Sequence, residues 1–477
     1  MTETPLWTAK EVVGAVSGVC ADQDWVANGV SIDSRTVSKD DLFIAIVGPT
    51  NDGHDYVKMA LDNGASAALV SSIPDNCAEH PRLILVADTQ IAMEALGIAS
   101  RARCSAKIIS VTGSVGKTGT KEALAHILGK QGQTHYSVGS FNNHWGVPLS
   151  LARMPRTSEY AIFELGMNHA GELGPLSRMV RAHVAIITTV AAAHLEFFRN
   201  TAEIAEAKAE IFEGLEKGGT ALINADNEHR ELLRQRAEEI NVSAILSFGR
   251  DEDADIRLKK ISLLPQSSEI SATISGHKLD FTLSVPGEHW AMNILAVLGA
   301  IQAVGADINV AVDALSTLSP PTGRGVQLTV KCTGGDFTII DESYNASPIA
   351  MQAAFKVLKG VTVLNLGRKI AILGDMRELG ENSIEIHKSL AIDLSQSGVD
   401  MVYACGPNMR HLFDALPEDL KSGYANSSKE LVRIVLSVVR TDDIVLIKGS
   451  LGSKMKIILE ALLASARKQE PVISAGN

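Results

Sequence analysis

The most informative absences in this sequence are those of long hydrophobic runs and of paired cysteines. No apolar stretch approaches the roughly 20 residues that a membrane-spanning helix needs, and the N-terminus MTETPLWTAKEVV lacks the features of a signal peptide. The five cysteines (Cys20, Cys77, Cys104, Cys332 and Cys405) are odd in number and never form a C-x-x-C pair. We therefore expect reduced thiols in a cytoplasmic protein without membrane insertion.

The chain also lacks an excess of positive charge and has few aromatic residues. Its formal net charge is −11, which argues against broad nucleic-acid binding but leaves room for a local phosphate-binding cluster. A hydrophobic content of 45% with only 4% aromatic residues is typical of a soluble α/β protein. The length of 477 residues predicts roughly three domains.

Hydrophobic patterning predicts where the three domains lie. We place them at residues 1–106, 107–319 and 320–477, with a linker at Ser319-Pro320-Pro321-Thr322-Gly323. In each, short β-branched runs alternate with helical patterns, which predicts an α/β fold with mainly parallel, doubly wound sheets in the second and third domains. The predicted strands of the central domain include 160–165, 184–190 and 220–223, followed by antiparallel strands within 255–285 and a strongly apolar helix at 289–304.

A phosphate-binding loop stands at the start of the central domain. The run 108–112 predicts a strand, and Gly113-Ser114-Val115-Gly116 leads to Lys117 and Thr118 at the start of a helical pattern. Backbone N–H groups at such a helix start bind phosphate, a lysine reaches the terminal phosphates, and a threonine hydroxyl can bind Mg²⁺. The full pattern G-x-x-x-x-G-K-[ST] would place a glycine at Val111, so an ordinary Gly-rich βα turn remains the alternative.

Three polar residues downstream are candidates for metal chemistry. Glu164 ends a predicted buried strand and could hold Mg²⁺, or it could simply cap a helix. His194 follows the strand 184–190 and could be a ligand or a structural histidine. Lys208 interrupts the apolar face of a predicted helix over 201–215. It could extend to solvent, or burial could lower its pKa and let the neutral amine react with CO₂ to form a carbamate.

Polar loops also follow strands in the first and third domains. In the third domain they are 341–348, 374–380 and 448–450, and successive strand ends of this kind favour a binding surface. In the first domain they contain Asp33, Arg35, Asp52 and His54, which could also be ordinary surface residues.

Together these motifs resemble the Mur ligase family, the ATP-dependent amide ligases of peptidoglycan precursor synthesis. Residues 112–118 are similar to that family's variant P-loop, and the resemblance extends over nearly the whole chain. Within the family, 142–148 and 164–172 are most similar to the member that uses a dipeptide. The resemblance implies a small N-terminal α/β domain that binds a UDP-sugar, a central P-loop ATPase domain and a C-terminal Rossmann-like domain that binds the incoming dipeptide.

The resemblance also implies roles for individual residues. The implied catalytic residues are Lys117, Glu164, His194 and Lys208. Mg²⁺ would be held by Thr118, Glu164, His194 and Lys208 as its carbamate. ATP would be bound by Gly113, Ser114, Val115, Gly116, Lys117, Thr118, Asn293, Arg324 and Asp341. Substrates would be bound by Ser34, Arg35, Asp52, Gly53, His54, Asn142, Asn143, Tyr344, Asn345 and Ser347.

The implied reaction joins D-Ala-D-Ala to UDP-MurNAc-tripeptide with ATP and Mg²⁺ as cofactors, in a monomer without nucleic-acid partners. The tripeptide could end in diaminopimelate or in lysine. Four alternatives are weaker. A catalytically inactive binding module should have lost Lys117, Glu164, His194 or Lys208, and all four are present. The preceding ligase, which adds the third amino acid, differs at 142–148 and 164–172, and a folylpolyglutamate synthase-like ligase lacks such a first domain. A regulatory GTPase would carry Asn-Lys-x-Asp, of which Asn224-Ala225-Asp226 retains little.

Overall fold

The computed structural model describes residues 4–193, 195–331 and 335–469. Its described strands form four sheets: two small sheets near the N-terminus, a nine-stranded sheet and a six-stranded sheet. The prediction of a three-domain α/β protein is confirmed. No helix within the described ranges is both long enough and apolar enough to cross a membrane.

The N-terminal region contains a four-stranded parallel sheet of order β3-β4-β5-β6 beside an antiparallel β1–β2 pair. Its elements are β1 (Trp7–Thr8), α1 (Ala9–Val16), β2 (Val26–Ala27), β3 (Gly29–Ser31), β4 (Asp41–Ile44), α2 (Val57–Asp62), β5 (Ala67–Val70), β6 (Leu83–Leu85) and α3 (Thr89–Arg103). Short 3₁₀ turns lie at Gly53–Tyr56 and Asp75–Cys77. Thr8 and Glu11 form a capping box that starts α1, and Asp88 caps α3.

The central region is built on the nine-stranded sheet, with helices on both faces. Its elements are β7 (Lys107–Thr112), α4 (Lys117–Leu128), β8 (Thr134–Tyr136), α5 (Gly146–Ala152), β9 (Tyr160–Glu164), α6 (Leu173–Val180), β10 (Val184–Ile187), α7 (Thr201–Ala209), β11 (Thr220–Asn224), α8 (Arg230–Glu239), β12 (Ala244–Gly249), β13 (Ile256–Leu263), β14 (Ser268–Ile274), β15 (His277–Leu283), α9 (Glu288–Ala303) and α10 (Ile308–Leu315). The β13–β14 and β14–β15 pairs are antiparallel, as predicted, and the other strand pairs are parallel.

The strand order of this sheet places the functional residues. It runs β15-β14-β13-β12-β11-β10-β7-β9-β8, so the chain goes from β7 to one side of the sheet and then returns to the other side at β10. A crevice forms at the carboxyl ends of the strands where such a reversal occurs. The P-loop after β7, the end of β9 and the segment after β10 therefore meet at one place.

The C-terminal region contains the six-stranded sheet of order β16-β17-β21-β18-β19-β20. Its elements are β16 (Val326–Val330), β17 (Phe337–Glu342), α11 (Pro348–Gly360), β18 (Lys369–Gly374), α12 (Ser383–Ser395), β19 (Met401–Cys405), α13 (Met409–Ala415), β20 (Lys421–Ala425), α14 (Ser428–Val438), β21 (Ile444–Lys448) and α15 (Lys456–Gln469). Only the β16–β17 pair is antiparallel among these described strands. The last strand, β21, lies between β17 and β18, so Glu342 and Lys448 are direct neighbours in the sheet.

The central sheet is buried on both faces because alternate residues of each strand point to opposite sides. Ile109 and Val111 of β7 pack with α4, α9 and α10, whereas Ile108 packs with helices α5, α6 and α7. A strand buried on both faces reads as a continuous apolar run, which is why these strands could be predicted from the sequence.

Some predicted elements differ from the structure. The helix predicted over 201–215 ends as an α-helix at Ala209 and continues as a 3₁₀-helix over Glu210–Gly214. There the Glu210 carboxylate accepts hydrogen bonds from the backbone N–H groups of Gly171, Leu173 and Gly174, which ties this turn to the start of α6. The strands β8, β12, β16 and β20 were not predicted because they are short or only half-buried, so their apolar pattern is weak.

Candidate active site

The P-loop begins where β7 ends. Val111 lies inside β7, fully buried and paired with Ile186 on one side and Glu164 on the other, so the turn starts only at Gly113. This explains the missing first glycine of the full pattern. At Gly113 φ is 148°, and a Cβ there would collide with the Thr188 hydroxyl. The loop therefore needs glycine at Gly113 for steric reasons.

Lys117 is the first residue of α4 and lies across the loop. Its Nζ donates to the carbonyl of Gly113 at 2.7 Å. Burial lowers the pKa of Lys117, the Glu164 carboxylate opposes that shift, and the Arg324 guanidinium adds to it. At Gly116, where φ is 89°, a Cβ would lie 2.7 Å from Asn293 Oδ1, so α9 closes against the P-loop.

Glu164 and Thr118 form the candidate metal site. Glu164 ends β9 and is 1% exposed. The Thr118 hydroxyl donates to Oε2 of Glu164 at 2.8 Å, and Asn142 Nδ2 donates to Oε1 at 2.8 Å. A carboxylate and a hydroxyl beside a phosphate-binding loop are suitable oxygen donors for Mg²⁺, which commonly takes one or two carboxylates together with substrate phosphates. The described residues contain no cluster of three or more His, Cys, Asp or Glu side chains that could hold a metal without such phosphates.

Lys208 is buried in α7, with 2% of its surface exposed. Burial lowers its pKa well below the ordinary value of 10.5, and the nearby charge of Lys117 lowers it further. The lowered pKa favours the neutral amine, which is the form that can react with CO₂. The alternative in which Lys208 extends to solvent is wrong. His194 lies outside the described residues.

The segment that enters the C-terminal region carries Arg324 and is held by Asp341. The Asp341 carboxylate is 1% exposed and accepts from the backbone N–H groups of Gly323 at 3.0 Å and Ser343 at 3.1 Å. The Arg324 guanidinium lies 4.5 Å from the centroid of the Tyr344 ring. Asp341 thus fixes the turn that carries Arg324. Asp341 is predicted to bind ATP, but in the structure its position relative to the P-loop cavity is indirect.

The C-terminal loops face the P-loop across the cleft. The Tyr344 hydroxyl and the Ser140 hydroxyl are 2.6 Å apart and join the two regions. Lys448 is 2% exposed, and its Nζ donates to Glu342 at 2.8 Å and to the carbonyl of Asn345 at 3.2 Å. The Ser347 hydroxyl is buried without a hydrogen-bond partner in the described structure.

One cavity of ≈580 Å³ connects these groups. The predicted site residues that line it are Ser114, Val115, Gly116, Lys117, Thr118, Asn142, Glu164, Asn293, Arg324, Tyr344, Asn345 and Ser347. A second, more open cavity of ≈1120 Å³ lies beside it, lined by 195–199, 376–383 and Asn408. Both cavities share Arg377, Glu378 and Leu379, so the two spaces are contiguous.

Several predicted residues do not line the main cavity. They are Ser34, Arg35, Asp52, Gly53, His54, Gly113, Asn143, Lys208 and Asp341. Asn143 instead stabilises the turn that leads into α5, because its Oδ1 accepts from the backbone N–H groups of Trp145 and Gly146. Among the first-domain residues, His54 Nδ1 lies 2.6 Å from Asp52, and Arg35 pairs with Asp33 at 2.7 Å.

Three residues in or beside this site were not predicted from the sequence: Ser140 and Glu342 line the cavity, and Lys121 lies behind it. Glu342 directly follows the predicted Asp341, and its position at the end of β17 could have marked it. Lys121 lies four residues after Lys117, one turn along α4, on the face that the apolar pattern predicts to be buried. Ser140 had no sequence signal, since its partner Tyr344 is 204 residues away.

The structure combines three α/β domains, a P-loop opposite polar C-terminal loops, and a buried carboxylate beside the P-loop. This combination defines a nucleotide-dependent ligase architecture. Family models agree along the chain. Residues 26–104 match the Mur ligase family, catalytic domain; residues 111–301 match the Mur ligase middle domain; and residues 328–451 match the Mur ligase, glutamate ligase domain. The chain belongs to the Mur ligase family.

Individual relatives cover almost the entire chain. It is 35% identical over 455 residues to the UDP-N-acetylmuramoyl-tripeptide–D-alanyl-D-alanine ligase of Rickettsia prowazekii, covering 95% of this chain and 99% of that one. The crystal structure of MurF from Acinetobacter baumannii superimposes with a TM-score of 0.84 at 29% identity, covering 96% and 99% of the two chains. The crystal structure of MurF from Thermotoga maritima in complex with ADP superimposes with a TM-score of 0.77 at 27% identity, covering 92% of this chain and 98% of that one.

Proposed function

We propose that this chain is the ATP-dependent amide ligase of peptidoglycan precursor synthesis that joins D-alanyl-D-alanine to UDP-N-acetylmuramoyl-tripeptide, releasing ADP and phosphate. The observation that carries the proposal is the single cavity that has the P-loop, Thr118 and Glu164 on one side and the Tyr344–Ser347 loop on the other. The names of the full-length relatives support the choice of substrates.

The reaction needs an activated carboxyl group, because a free carboxylate has no adequate leaving group. Transfer of the γ-phosphoryl group of ATP to the tripeptide carboxylate forms an acyl phosphate, and the amine of the dipeptide then attacks its carbonyl and expels phosphate. Lys117 lies where it can neutralise charge on the transferred group, and Arg324 enters the same cavity from the opposite side. Mg²⁺ bound at Thr118 and Glu164 would supply Lewis-acid stabilisation of the phosphate oxygens.

We propose that Lys208 acts as its carbamate. The burial of its amine supports this, because burial and the nearby charge of Lys117 both lower the pKa of Lys208 and so favour the form that reacts with CO₂. A carbamate would place a negative charge beside Lys117 and offer oxygen atoms to a metal. His194, as the third predicted metal ligand, remains part of this proposal.

The domains divide the substrates between them. We propose that residues 1–106 bind the UDP-sugar through Ser34, Arg35, Asp52, Gly53 and His54, that 107–319 bind ATP, and that 320–477 bind the dipeptide. The turn that carries these residues is held in place, because His54 pairs with Asp52 and accepts at Nε2 from the backbone N–H of Ser71. Gly53 leaves no room for a side chain, since a Cβ there would lie 2.6 Å from the backbone of Ile46.

We further propose that the protein acts as a monomer in the cytoplasm. The cysteines that the structure describes, Cys20, Cys77, Cys104 and Cys405, are free thiols, which fits a reducing compartment.

The test is phosphate release from ATP by the purified protein. We expect release only when UDP-MurNAc-tripeptide and D-Ala-D-Ala are both present. Lys117→Ala should abolish it, whereas Lys130→Ala, which changes an exposed lysine just after α4, should not. Equal turnover with free D-alanine in place of the dipeptide would contradict the specific assignment.

A further inference from the structure

Three lysine side chains in the described ranges are almost completely buried: Lys121 is 0% exposed, and Lys208 and Lys448 are each 2% exposed. A buried ammonium group is costly unless it is paired and hydrogen-bonded. Lys448 is paired with Glu342, and the burial of Lys208 is part of its proposed role as a carbamate. The proposed reaction gives no role to Lys121, so its burial needs a separate explanation.

The Lys121 ammonium lies close to three oxygen atoms, two of which accept hydrogen bonds from it. Nζ donates to the carbonyl of Ser137 at 2.7 Å and to that of Gly139 at 2.9 Å, and Oε1 of Glu122 lies 2.8 Å away. The Tyr136 ring centroid is 5.8 Å from Nζ. Lys121 therefore reaches from α4 into the segment that follows β8.

We call residues 137–142 the 137–142 loop, and its other contacts converge on Glu164. Ser137 Oγ accepts from the backbone N–H of Glu164 at 3.2 Å, and Asn142 Nδ2 donates to the carboxylate at 2.8 Å. The carbonyl of Asn142 accepts from the N–H of Gly166 at 2.8 Å. The loop thus holds both the backbone and the carboxylate of the candidate metal ligand.

The same loop also reaches the C-terminal region. Ser140 lies between Gly139, whose carbonyl Lys121 binds, and Asn142, and its hydroxyl bonds with the Tyr344 hydroxyl at 2.6 Å. Because α4 starts at Lys117, Lys121 connects the phosphate-binding end of that helix with both the metal ligand and the opposing domain.

We propose that Lys121 is a positioning residue: it fixes the 137–142 loop so that Glu164 and Ser140 are held in the geometry that the reaction needs. The effect of Lys121 on the reaction rate depends on the proposed function, whereas its effect on the loop does not. Lys121 does not line the cavity, and it acts through carbonyl groups that no side-chain substitution in the loop can replace. Its two hydrogen bonds to the carbonyls of Ser137 and Gly139 would make the loop rigid before substrates bind.

The experiment compares Lys121→Met and Lys121→Gln with the wild type, using Lys130→Met as the matched control. Methionine keeps much of the buried apolar volume, and glutamine keeps one donor. We expect kcat of the two-substrate reaction to fall about 10- to 100-fold, as is usual when a residue supporting a metal ligand is lost. The Kd of ADP should stay unchanged, because Lys117 and the P-loop remain intact.

Hydrogen–deuterium exchange provides a readout that does not depend on turnover. We expect amide exchange to accelerate in 137–142 and to stay unchanged in 113–118. Wild-type kcat in the Lys121 variants, equal acceleration in both segments, or failure of both variants to fold would each overturn the positioning role. If the wild type itself shows no turnover with both substrates, the proposed function fails, while the exchange and ADP-binding results still decide the role of Lys121.

Discussion

At the residue scale, burial gives similar side chains different chemistry. Lys117 borders the cavity, Lys121 is held by carbonyl groups, and Lys208 is buried close to the charge of Lys117. Lys448 is buried with a carboxylate partner. All four residues are lysines, so their different roles follow from the burial of each amine and from the groups that lie within its reach.

Replacing Lys208 tests the carbamate. Lys208→Ala should lower kcat about 10- to 100-fold, because a group that orders metal and phosphate is lost. Formate or acetate should restore part of the activity by occupying the space of the carbamate oxygens. Phosphate release with both substrates measures this, and Lys217→Ala, at an exposed position, is the control. Full activity, or a loss that no small carboxylate relieves, would argue against the carbamate.

The buried amine of Lys208 should also make stability depend on pH. Burial lowers its pKa well below 10.5 in the folded chain, so at pH values between that lowered pKa and 10.5 the unfolded chain binds more protons than the folded chain. The free energy of unfolding is therefore smaller at lower pH, and it rises as the pH approaches 10.5.

Wild type should consequently gain stability with rising pH relative to Lys208→Met, which has no such group. Thermal unfolding of both proteins in CO₂-depleted buffer, at a series of pH values rising towards 10.5, measures the difference. Parallel pH profiles for the two proteins would show that Lys208 is charged in the folded state.

At the element scale, the helix pair α3–α5 joins the first region to the central sheet. At Gly97 of α3, a Cβ would lie 3.1 Å from the carbonyl oxygen of Pro148 and 3.2 Å from its Cα. The Trp7 indole donates to the carbonyl of Ala152, and Arg153 Nε donates to that of Val30. The helices thus approach closely because a glycine stands at their contact.

Gly97→Leu should separate these helices and lower the free energy of unfolding by about 1–3 kcal/mol, the usual cost of overpacking. Gly14 in α1 offers the matched control, because its helical position is exposed and open, so Gly14→Ala should raise stability by about 0.5–1 kcal/mol. Chemical denaturation followed by circular dichroism measures both. An unchanged midpoint for Gly97→Leu would mean that α3 and α5 do not need this close contact.

At the scale of the whole molecule, the active site is assembled from two regions. The P-loop and Glu164 come from the central sheet, whereas Tyr344, Glu342 and Lys448 come from the C-terminal sheet. The hydrogen bond between Ser140 and Tyr344 crosses the cavity. Catalysis should therefore depend on contacts that hold the two regions together.

A double-mutant cycle tests this contact. Ser140→Ala and Tyr344→Phe should each lower kcat/KM about 2- to 10-fold, the range expected for one hydrogen bond. The double variant should be no worse than the poorer single variant, because both changes remove the same bond. Tyr424→Phe, which removes a bond to the Gly406 carbonyl within the C-terminal region, is the control. Independent, multiplicative losses would show that the two hydroxyls act separately.

Much of the fold could be predicted from the sequence because its strands are buried on both faces. Continuous apolar runs such as those of β7, β10 and β18 predict strands, and their alternation with helices predicts parallel sheets. The edge and half-buried strands β8, β12, β16 and β20 were missed, since their residues are only partly apolar.

For the site, the sequence by itself determined the P-loop, the carboxylate at a strand end and the unusual lysine of α7, because each is a local pattern. Only the tertiary structure decided three sets of hydrogen bonds. Glu164 accepts from Thr118 and Asn142, Asp341 accepts from the backbone N–H of Gly323, and the Ser140 and Tyr344 hydroxyls bond to each other. Those pairings join residues between 18 and 204 positions apart, and no local periodicity encodes such a distance. Lys121 shows the difference most clearly: its burial follows from the helix pattern, but its partners follow only from the folding of β8 and its loop beside α4.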